Sequence, residues 1–369
     1  MTSRQLYRLC ILLPLSLTLT LTATGCGHEE TEESLPTATA ADAWLLNEGL
    51  WNANDAELSH FSTADGAMDN NAFLAANRRR LGDTGQDLLL YGSRLYVSVF
   101  GSGTIEVLDP ATGLSLQQID MGSRQPRFMA AHGGKIYVSC YSPHSLVRID
   151  TLSLQIEATC LLSGLRPEGL CVVGDSLYVC NSFEQQSNGA MTYDSTLSIV
   201  SLATFREVGR HPVGLNPNRV QAVGPARLAV SCWGNYGTEE ARIVAVDIAA
   251  TGLTTTPTTV NATEMDVSNG AIYALSYDYY GTHRTQFYRI DGTTLAVSPI
   301  LQDHADHFVS PYAIKIDPST GDIYVTDSQN YRANGDLYCF RSDGHLRWKA
   351  ETTTGPSRIC FVGHGISAR

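Results

Sequence analysis

The sequence predicts an all-β chain folded as a seven-bladed β-propeller. Two observations lead to this prediction. The first observation is a four-residue motif that recurs along the chain, with copies that begin at Leu95, Ile136, Leu177, Leu228, Ile272 and Ile323. It consists of an aliphatic residue, a second residue that is usually Tyr, an aliphatic or small residue, and a last residue that is most often Ser, Thr or Cys. The copies lie about 40–50 residues apart, which is the length of a four-stranded propeller blade, and their alternation of apolar and polar residues has the period of a strand.

The remaining strands of each blade flank this tyrosine strand. Tight turns such as Gly133-Gly134 precede it, and glycine supplies the positive φ that a two-residue hairpin needs. A third strand follows, as in Thr104–Asp109 and Ser145–Asp150. An innermost strand comes first in each repeat and is usually opened by a proline such as Pro126 or Pro167. No helical periodicity interrupts this pattern, so no helix is predicted in the folded part of the chain.

The two ends of the chain are expected to complete one blade together. Trp44–Asn47 and Ala56–Phe61 form a blade that lacks its innermost strand, and Pro356–Val362 matches an innermost strand with nothing after it. Pairing of these segments closes the ring and removes the exposed sheet edges. Seven blades result, with eight as the alternative, whereas a β-sandwich does not explain the repeat.

Residues 1–25 are predicted to be a lipoprotein signal peptide. Arg4 and Arg8 precede an apolar run from Leu9 to Leu21, and small residues lead to Gly25-Cys26. This ending resembles a bacterial lipobox, which implies that Cys26 is lipidated and anchors the chain to a membrane. An ordinary signal peptide with an incidental cysteine is the alternative.

Residues 26–42 are predicted to be the lipidated cysteine and a flexible tether, and residues 43–369 the propeller. The tether begins with the acidic segment Glu29–Glu33. Acids at this position resemble the export signal that sends some Gram-negative lipoproteins to the cell surface; a solvated linker is the alternative. The whole chain carries a net charge of −12, which argues against a nucleic-acid partner because phosphate contacts need cations.

Most cysteines are interpreted as small buried residues. Apart from Cys10 and Cys26, seven cysteines remain and none forms a CxxC pair, so neither a zinc site nor a full set of bridges is indicated. A single disulfide is the alternative, since an exported protein meets an oxidising compartment. His304 and His307 lie with two aspartates in one short segment, but polar loop residues are ordinary there, and no metal site is assigned.

No catalytic residues are assigned, and the chain is predicted not to be an enzyme. The sequence lacks the GxSxG, HExxH and P-loop motifs, and no spacing joins its carboxylates and histidines into an acid–base pair. An enzyme whose site is assembled from distant blades, like a propeller lyase or lactonase, is the alternative.

The loops that follow the tyrosine strands are predicted to form a binding face. Each carries at least one aromatic residue with Asn, Gln or Ser nearby, and the loops between blades add arginines. Aromatic faces and amide donors that converge on one concave surface suit a large ligand. Packing between blades is the alternative for each aromatic residue. The predicted ligand-binding residues are Trp51, Phe100, Arg127, Tyr141, Arg166, Phe183, Arg219, Trp233, Tyr236, Tyr279, Tyr280 and Tyr331.

The repeat resembles the YVTN-type propeller family. Arg166–Gly169 reads Arg-Pro-Glu-Gly, Leu177–Asn181 reads Leu-Tyr-Val-Cys-Asn, and Val147–Thr151 ends in Ile-Asp-Thr. With the lipobox-like ending and the opening Leu46–Gly49, the chain is similar to the YncE/BtuG-like surface lipoproteins of Gram-negative bacteria. BtuG members bind vitamin B12 and pass it to a TonB-dependent transporter.

The resemblance implies a lipoprotein of the outer membrane that faces the cell surface and binds a corrinoid. It also implies that the protein has no cofactor of its own and that its partner is a TonB-dependent transporter. A scaffold or glycan-binding subunit of a nutrient-uptake complex is the alternative. YncE-type propellers associated with DNA are a poor match for a net charge of −12.

Overall fold

The computed structural model describes residues 43–277 and 284–362. The predicted signal peptide, Cys26, the tether, Tyr279 and Tyr280 lie outside the described residues. Within them the chain is an all-β propeller of seven four-stranded antiparallel blades, as predicted. The described part of the chain contains no helix of the length and apolarity needed to cross a membrane.

The strands follow one another around the ring in chain order, each blade running from its innermost to its outermost strand. Blades one to three contain β1 (Ala43–Asn47), β2 (Glu57–Phe61) and β3 (Met68–Asp69); β4 (Gly85–Tyr91), β5 (Arg94–Val99), β6 (Thr104–Leu108) and β7 (Ser115–Asp120); and β8 (Pro126–His132), β9 (Lys135–Cys140), β10 (Ser145–Asp150) and β11 (Ile156–Leu161).

Blades four and five carry the one additional hairpin of the described residues. They contain β12 (Pro167–Val173), β13 (Ser176–Asn181), β14 (Phe183–Gln185), β15 (Met191–Tyr193), β16 (Thr196–Ser201) and β17 (Arg206–Pro212), followed by β18 (Pro217–Gly224), β19 (Arg227–Cys232), β20 (Arg242–Ala249) and β21 (Gly252–Pro257). β14 and β15 pair only with each other, outside the four strands of blade four.

Blades six and seven complete the ring together with the C-terminal strand. They contain β22 (Glu264–Ser268), β23 (Ala271–Ser276), β24 (Gln286–Asp291) and β25 (Val297–Ile300), then β26 (Pro311–Ile316), β27 (Ile323–Asp327), β28 (Asn334–Phe340) and β29 (Leu346–Thr354), and finally β30 (Pro356–Phe361).

The C-terminal strand closes the ring as predicted. β30 pairs antiparallel with β1, so that Ile359 lies opposite Leu45, and the first blade has the order β3-β2-β1-β30. The Ile359 side chain is buried in an apolar cluster with Leu45, Phe61 and Tyr324 of blades one and seven. Strands from the two ends of the chain therefore share one core, and no edge is left at the join.

Two short helices correct the prediction of a helix-free chain. One is α1 (Ala72–Asn77), and the other is a 3₁₀-helix (Gln302–His307) in the loop between blades six and seven. The Glu57 carboxylate accepts the N–H groups of Phe73 and Leu74, at 3.0 and 3.2 Å, in the first turn of α1. A helix of six residues is less than two turns long, too short to show a period, and is stabilised here by this tertiary contact.

The structure confirms that most of the cysteines are small buried residues. All seven cysteines of the described residues are free, and five of them are buried. Burial raises the pKa of the thiols of Cys140, Cys171, Cys232 and Cys360 to about 12. These thiols stay protonated at neutral pH and pack as apolar groups between blades.

We expect the ring closure to depend on Ile359. Replacing Ile359→Ala removes buried methyl groups from the cluster shared by blades one and seven, and should lower the free energy of unfolding by about 2–4 kcal/mol. Chemical denaturation measures the change. The control is Leu161→Ala on the outer strand β11, whose side chain is 68% exposed and should change stability by less than about 0.5 kcal/mol. Equal effects of the two variants would contradict the closure role of Ile359.

Candidate binding site at the mouth of the propeller

One face of the ring carries both groups of predicted loops. Antiparallel pairing places the start of each innermost strand beside the end of its tyrosine strand, as in Pro126 opposite Cys140 and Pro311 opposite Asp327. The loops between blades and the loops after the tyrosine strands therefore open on the same face. We call this face the mouth.

A β-bulge at the mouth end of the innermost strand shapes this face. In six blades of the described chain the pairing between the innermost and the tyrosine strand shifts register near the mouth, as it does between Pro126 and Met129. A bulge kinks the strand and re-aims its side chains. The Ser139 hydroxyl accepts the Phe128 N–H at 3.0 Å, and the Thr326 hydroxyl accepts the Ala313 N–H at 2.9 Å. The polar residue that closes the repeated motif thus satisfies a backbone donor at the bulge.

Three predicted aromatic residues form a continuous arc at the mouth. The ring centroids of Trp51 and Phe100 are 5.7 Å apart, and those of Phe100 and Tyr141 are 5.5 Å apart in an edge-to-face arrangement. Arg127 lies 5.1 Å from the Phe100 centroid and 4.7 Å from that of Tyr141, and Arg166 lies 5.1 Å from Tyr141. We call Trp51, Phe100 and Tyr141 the aromatic arc; the structure brings five of the predicted residues together there.

A buried carboxylate fixes the middle of the aromatic arc. Glu168 is 1% exposed and accepts two hydrogen bonds from the Arg127 guanidinium, at 2.9 and 3.0 Å. It also accepts the Tyr141 hydroxyl at 2.6 Å. Burial and the neighbouring negative charge of Glu168 raise the pKa of Tyr141, so its hydroxyl remains a donor. These contacts hold Arg127 and Tyr141 in one geometry before any ligand arrives.

A cavity of about 410 Å³ lies beside the aromatic arc. Its wall includes Glu48, Trp51, Tyr312, Asn330, Tyr331 and Arg332. The Tyr312 hydroxyl donates to the Glu48 carboxyl at 3.1 Å, and the rings of Tyr312 and Tyr331 meet edge to face at 5.9 Å. Trp51, which is 60% exposed, borders both this cavity and the aromatic arc. We call this space the seam cavity because it lies between blades seven and one.

Burial raises the pKa of Glu48 to about 7, against the lowering effects of Tyr312, Arg127, Arg219 and Ser357. Neither Glu48 nor Tyr312 is among the binding residues predicted from the sequence. Glu48 lies in the loop after β1, where the aromatic residue Trp51 drew the prediction, and Tyr312 follows the proline that opens β26. Their pairing could not be found from spacing, because 264 positions separate them.

On the opposite side of the mouth the predicted residues divide into two groups. Phe183 contacts Tyr193 at 6.1 Å between ring centroids, and Tyr193 contacts Tyr236 at 6.5 Å. The hairpin β14–β15, which sequence analysis took for a loop, brings Tyr193 there. Trp233 is half-buried, and its indole N–H donates to the Thr263 carbonyl at 2.7 Å, so it joins blades five and six.

Arg219 lies below the mouth, at the wall of the central channel. Its guanidinium pairs with Glu264 at 3.2 Å and lies 4.1 Å from the Phe128 centroid. Burial raises the pKa of Glu264. The channel holds a cavity of about 300 Å³ here.

The two histidines of the 3₁₀-helix lie against each other. Their Nδ1 atoms are 3.4 Å apart, and the His304 ring packs 4.9 Å from that of Phe340. Asp306 pairs with Arg284 instead of facing the histidines. Residues 43–277 and 284–362 contain no group of three or more His, Cys, Asp or Glu side chains arranged to hold a metal ion.

Comparisons with solved structures support the fold. A hypothetical selenium-binding protein from Sulfolobus tokodaii superposes with a TM-score of 0.68 at 10% identity, covering 89% of this chain and 95% of its own. AztD from Citrobacter koseri gives 0.53 at 12% identity, covering 87% and 97%, and a streptogramin B lyase gives 0.52 at 13% identity, covering 73% and 83%. No family model and no curated protein matches the chain. At these identities the likeness shows a propeller fold alone.

We expect Glu48 to destabilise the folded state above neutral pH. The folded protein binds this proton more tightly than the unfolded chain, so stability falls as pH rises from about 4.5 to about 7. Glu48→Gln keeps the hydrogen-bond acceptor and should stabilise the protein by about 2 kcal/mol at pH 8, with little change at pH 4. Denaturant unfolding at both pH values measures this. Burial also raises the pKa of Asp87 to about 7. Because both proteins contain Asp87, its contribution to the pH dependence of stability cancels in the difference between them. A pH-independent difference would contradict the raised pKa.

Proposed function

We propose that this chain is a binding protein that captures a corrinoid such as vitamin B12 at the mouth without chemistry. The observation that supports this proposal is the aromatic arc beside the seam cavity, with the exposed Trp51 at one end of the arc and in the wall of the cavity. Aromatic faces fixed in advance bind a flat, amphipathic ligand at a small cost in conformational entropy.

Polar groups around the seam cavity match the edge of such a ligand. A corrinoid is a broad disc fringed by amides, which need both donors and acceptors. Asn330 offers both, Arg332 offers donors, and the Glu48 carboxyl with its raised pKa can donate or accept near neutral pH. Arg127 and Arg166 pack against the rings of the aromatic arc and hold those rings in place.

The N-terminal sequence supports the setting of this proposal. The lipobox-like ending at Cys26 and the acids of Glu29–Glu33 favour a lipid-anchored protein on the outer surface of the outer membrane. A protein held there can bind a scarce nutrient and transfer it to a TonB-dependent transporter. We propose this transfer as the partner role of the chain. A glycan-binding or scaffold subunit of an uptake complex is the alternative for the same location.

Calorimetry of the purified protein against cyanocobalamin, then cobinamide, tests the proposal. We expect one-to-one binding and a loss of at least tenfold in affinity on Trp51→Ala, because buried aromatic anchors dominate such contacts. Leu152→Ala is the control: its side chain is 88% exposed in a turn on the face opposite the mouth, and its removal should leave affinity unchanged.

Absence of binding by either corrinoid at about 10 μM would exclude a corrinoid scavenger, since useful capture requires a binding free energy near −7 kcal/mol. A glycan array would then test the uptake-subunit alternative. Binding that survives Trp51→Ala would keep the function and place the ligand elsewhere.

One observation favours a second candidate, an enzyme of the lyase or lactonase type. A carboxyl with a pKa about 7, hydrogen-bonded to Tyr312 in the seam cavity, is suited to general acid–base catalysis. Turnover of lactone substrates by the purified protein tests this candidate. An activity that is lost in Glu48→Gln and retained in Leu152→Ala would support the enzyme. A protein that binds a corrinoid and turns over no lactone would favour capture.

A further inference from the structure

Below the mouth, three arginines surround one phenylalanine of the central channel. Phe128 is 6% exposed, and the guanidinium carbons of Arg219, Arg358 and Arg127 lie 4.1, 5.4 and 5.6 Å from its ring centroid. The three arginines come from the innermost strands β18, β30 and β8. Three positive charges gathered in a buried channel repel one another unless anions offset them.

The three arginines are compensated unequally. Arg127 has its two hydrogen bonds to Glu168. Arg219 makes longer contacts to Glu264, 3.2 and 3.4 Å, and its Nη1 is buried with no hydrogen-bond partner. An unpaired donor of this kind costs free energy, which an acceptor in the channel would offset.

Arg358 is the least compensated of the three. Its Nη1 donates to the Ser357 carbonyl at 2.7 Å, and the carboxyl oxygen of Asp87 is 3.9 Å from its Nε. Asp87 accepts the Met129 N–H at 2.9 Å, and burial raises its pKa to about 7, so it carries only part of a negative charge at neutral pH. Arg358 therefore has only a distant and partly ionised carboxyl as its counter-ion.

The channel has room at this wall. Its cavity of about 300 Å³ is bordered by Phe128, Arg219 and Arg358, and its volume is roughly ten times that of one water molecule in the liquid. Further down, Lys315 pairs with Asp266 at 2.9 Å and completes the charge balance of that level. Asp87 and Glu264 also line the cavity, and what distinguishes the level of Phe128 is that these carboxyls leave donors of Arg219 and Arg358 without a close acceptor.

We propose that the channel cavity is an oxyanion site, in which Arg219 and Arg358 hold a phosphate or carboxylate group beside Phe128. Planar guanidinium forks match the oxygens of both groups and bind them with charge-assisted hydrogen bonds. The proposal goes beyond capture at the mouth and does not depend on which ligand the mouth binds. The oxyanion is either a free ion or the anionic group of a larger ligand that enters from the mouth.

Calorimetry of the purified full chain tests the site with four probes: inorganic phosphate, phenyl phosphate, benzoate and phenol. One-to-one binding of inorganic phosphate with a Kd in the millimolar range or lower supports a site for a free ion. Phenyl phosphate at least tenfold tighter than phosphate, with no binding of phenol, supports an anionic group on a larger ligand. Benzoate tests a carboxylate in the same way, and failure of both phosphates and of benzoate to bind at about 10 mM would overturn the proposal.

Variants assign the binding to these side chains. Arg358→Gln should lower the affinity for phosphate at least tenfold, whereas Arg358→Lys, which keeps the charge, should lower it less. The matched control is Arg148→Gln, which removes the same charge from an exposed ion pair with Glu157 on blade three. If Arg358→Gln does not fold, the double variant Arg219→Gln/Glu264→Gln removes a donor fork as a neutral pair and should also weaken binding tenfold. Equal weakening by Arg148→Gln would show a general charge effect and overturn the site.

Discussion

Closure of the ring by β30 is the constraint on which the mouth depends. Each blade packs against both neighbours, so the geometry of the central face is set only when blade one has its innermost strand. The same join positions the seam cavity directly. The N–H of Glu48 donates to the Gly355 carbonyl at 2.8 Å, and that of Gly49 to the Thr354 carbonyl at 3.1 Å, which ties the loop of Trp51 to the C-terminal segment. Trp51, the most exposed aromatic residue of the mouth among those that the structure describes, therefore lies in a loop held by contacts between the first and the last strands of the propeller.

The sequence predicts the parts of the fold that repeat. The tyrosine strand, its hairpin turn and the proline of the innermost strand all have a local pattern, and the unmatched strands at the two ends could be paired because each lacked what the other supplied. α1 and the hairpin β14–β15 could not be predicted in this way. They occur once, are too short to show a periodic pattern, and depend on tertiary partners such as Glu57 for α1 and Tyr236 for Tyr193.

The candidate site was predictable by residue type and only partly by arrangement. Aromatic residues after each tyrosine strand marked the mouth, because the blade topology forces those loops onto one face. Their different surroundings could not be read from that position: Trp233 bonds across to the next blade, whereas Trp51 remains open. The carboxylates were missed for a related reason. Glu168 and Arg127 come from neighbouring blades, 41 positions apart, so their pairing exists only after the blades pack.

Arg127 connects the two levels of the molecule. Its guanidinium contacts Phe100 and Tyr141 of the aromatic arc on one side and lies 5.6 Å from Phe128 of the channel on the other. Because Glu168 fixes its position and pairs with its charge, Arg127 is a rigid element between the mouth and the channel. An anion held by Arg219 and Arg358 would place a negative charge below the mouth and lower the electrostatic potential there. With the channel anion bound, the affinity of the aromatic arc for a neutral ring would change little, whereas its affinity for an anionic ring would fall. Since thermodynamic coupling is reciprocal, an anionic ring at the mouth would weaken the channel anion by the same factor. If both proposals hold, the charge of the mouth ligand determines whether the two levels act independently or compete.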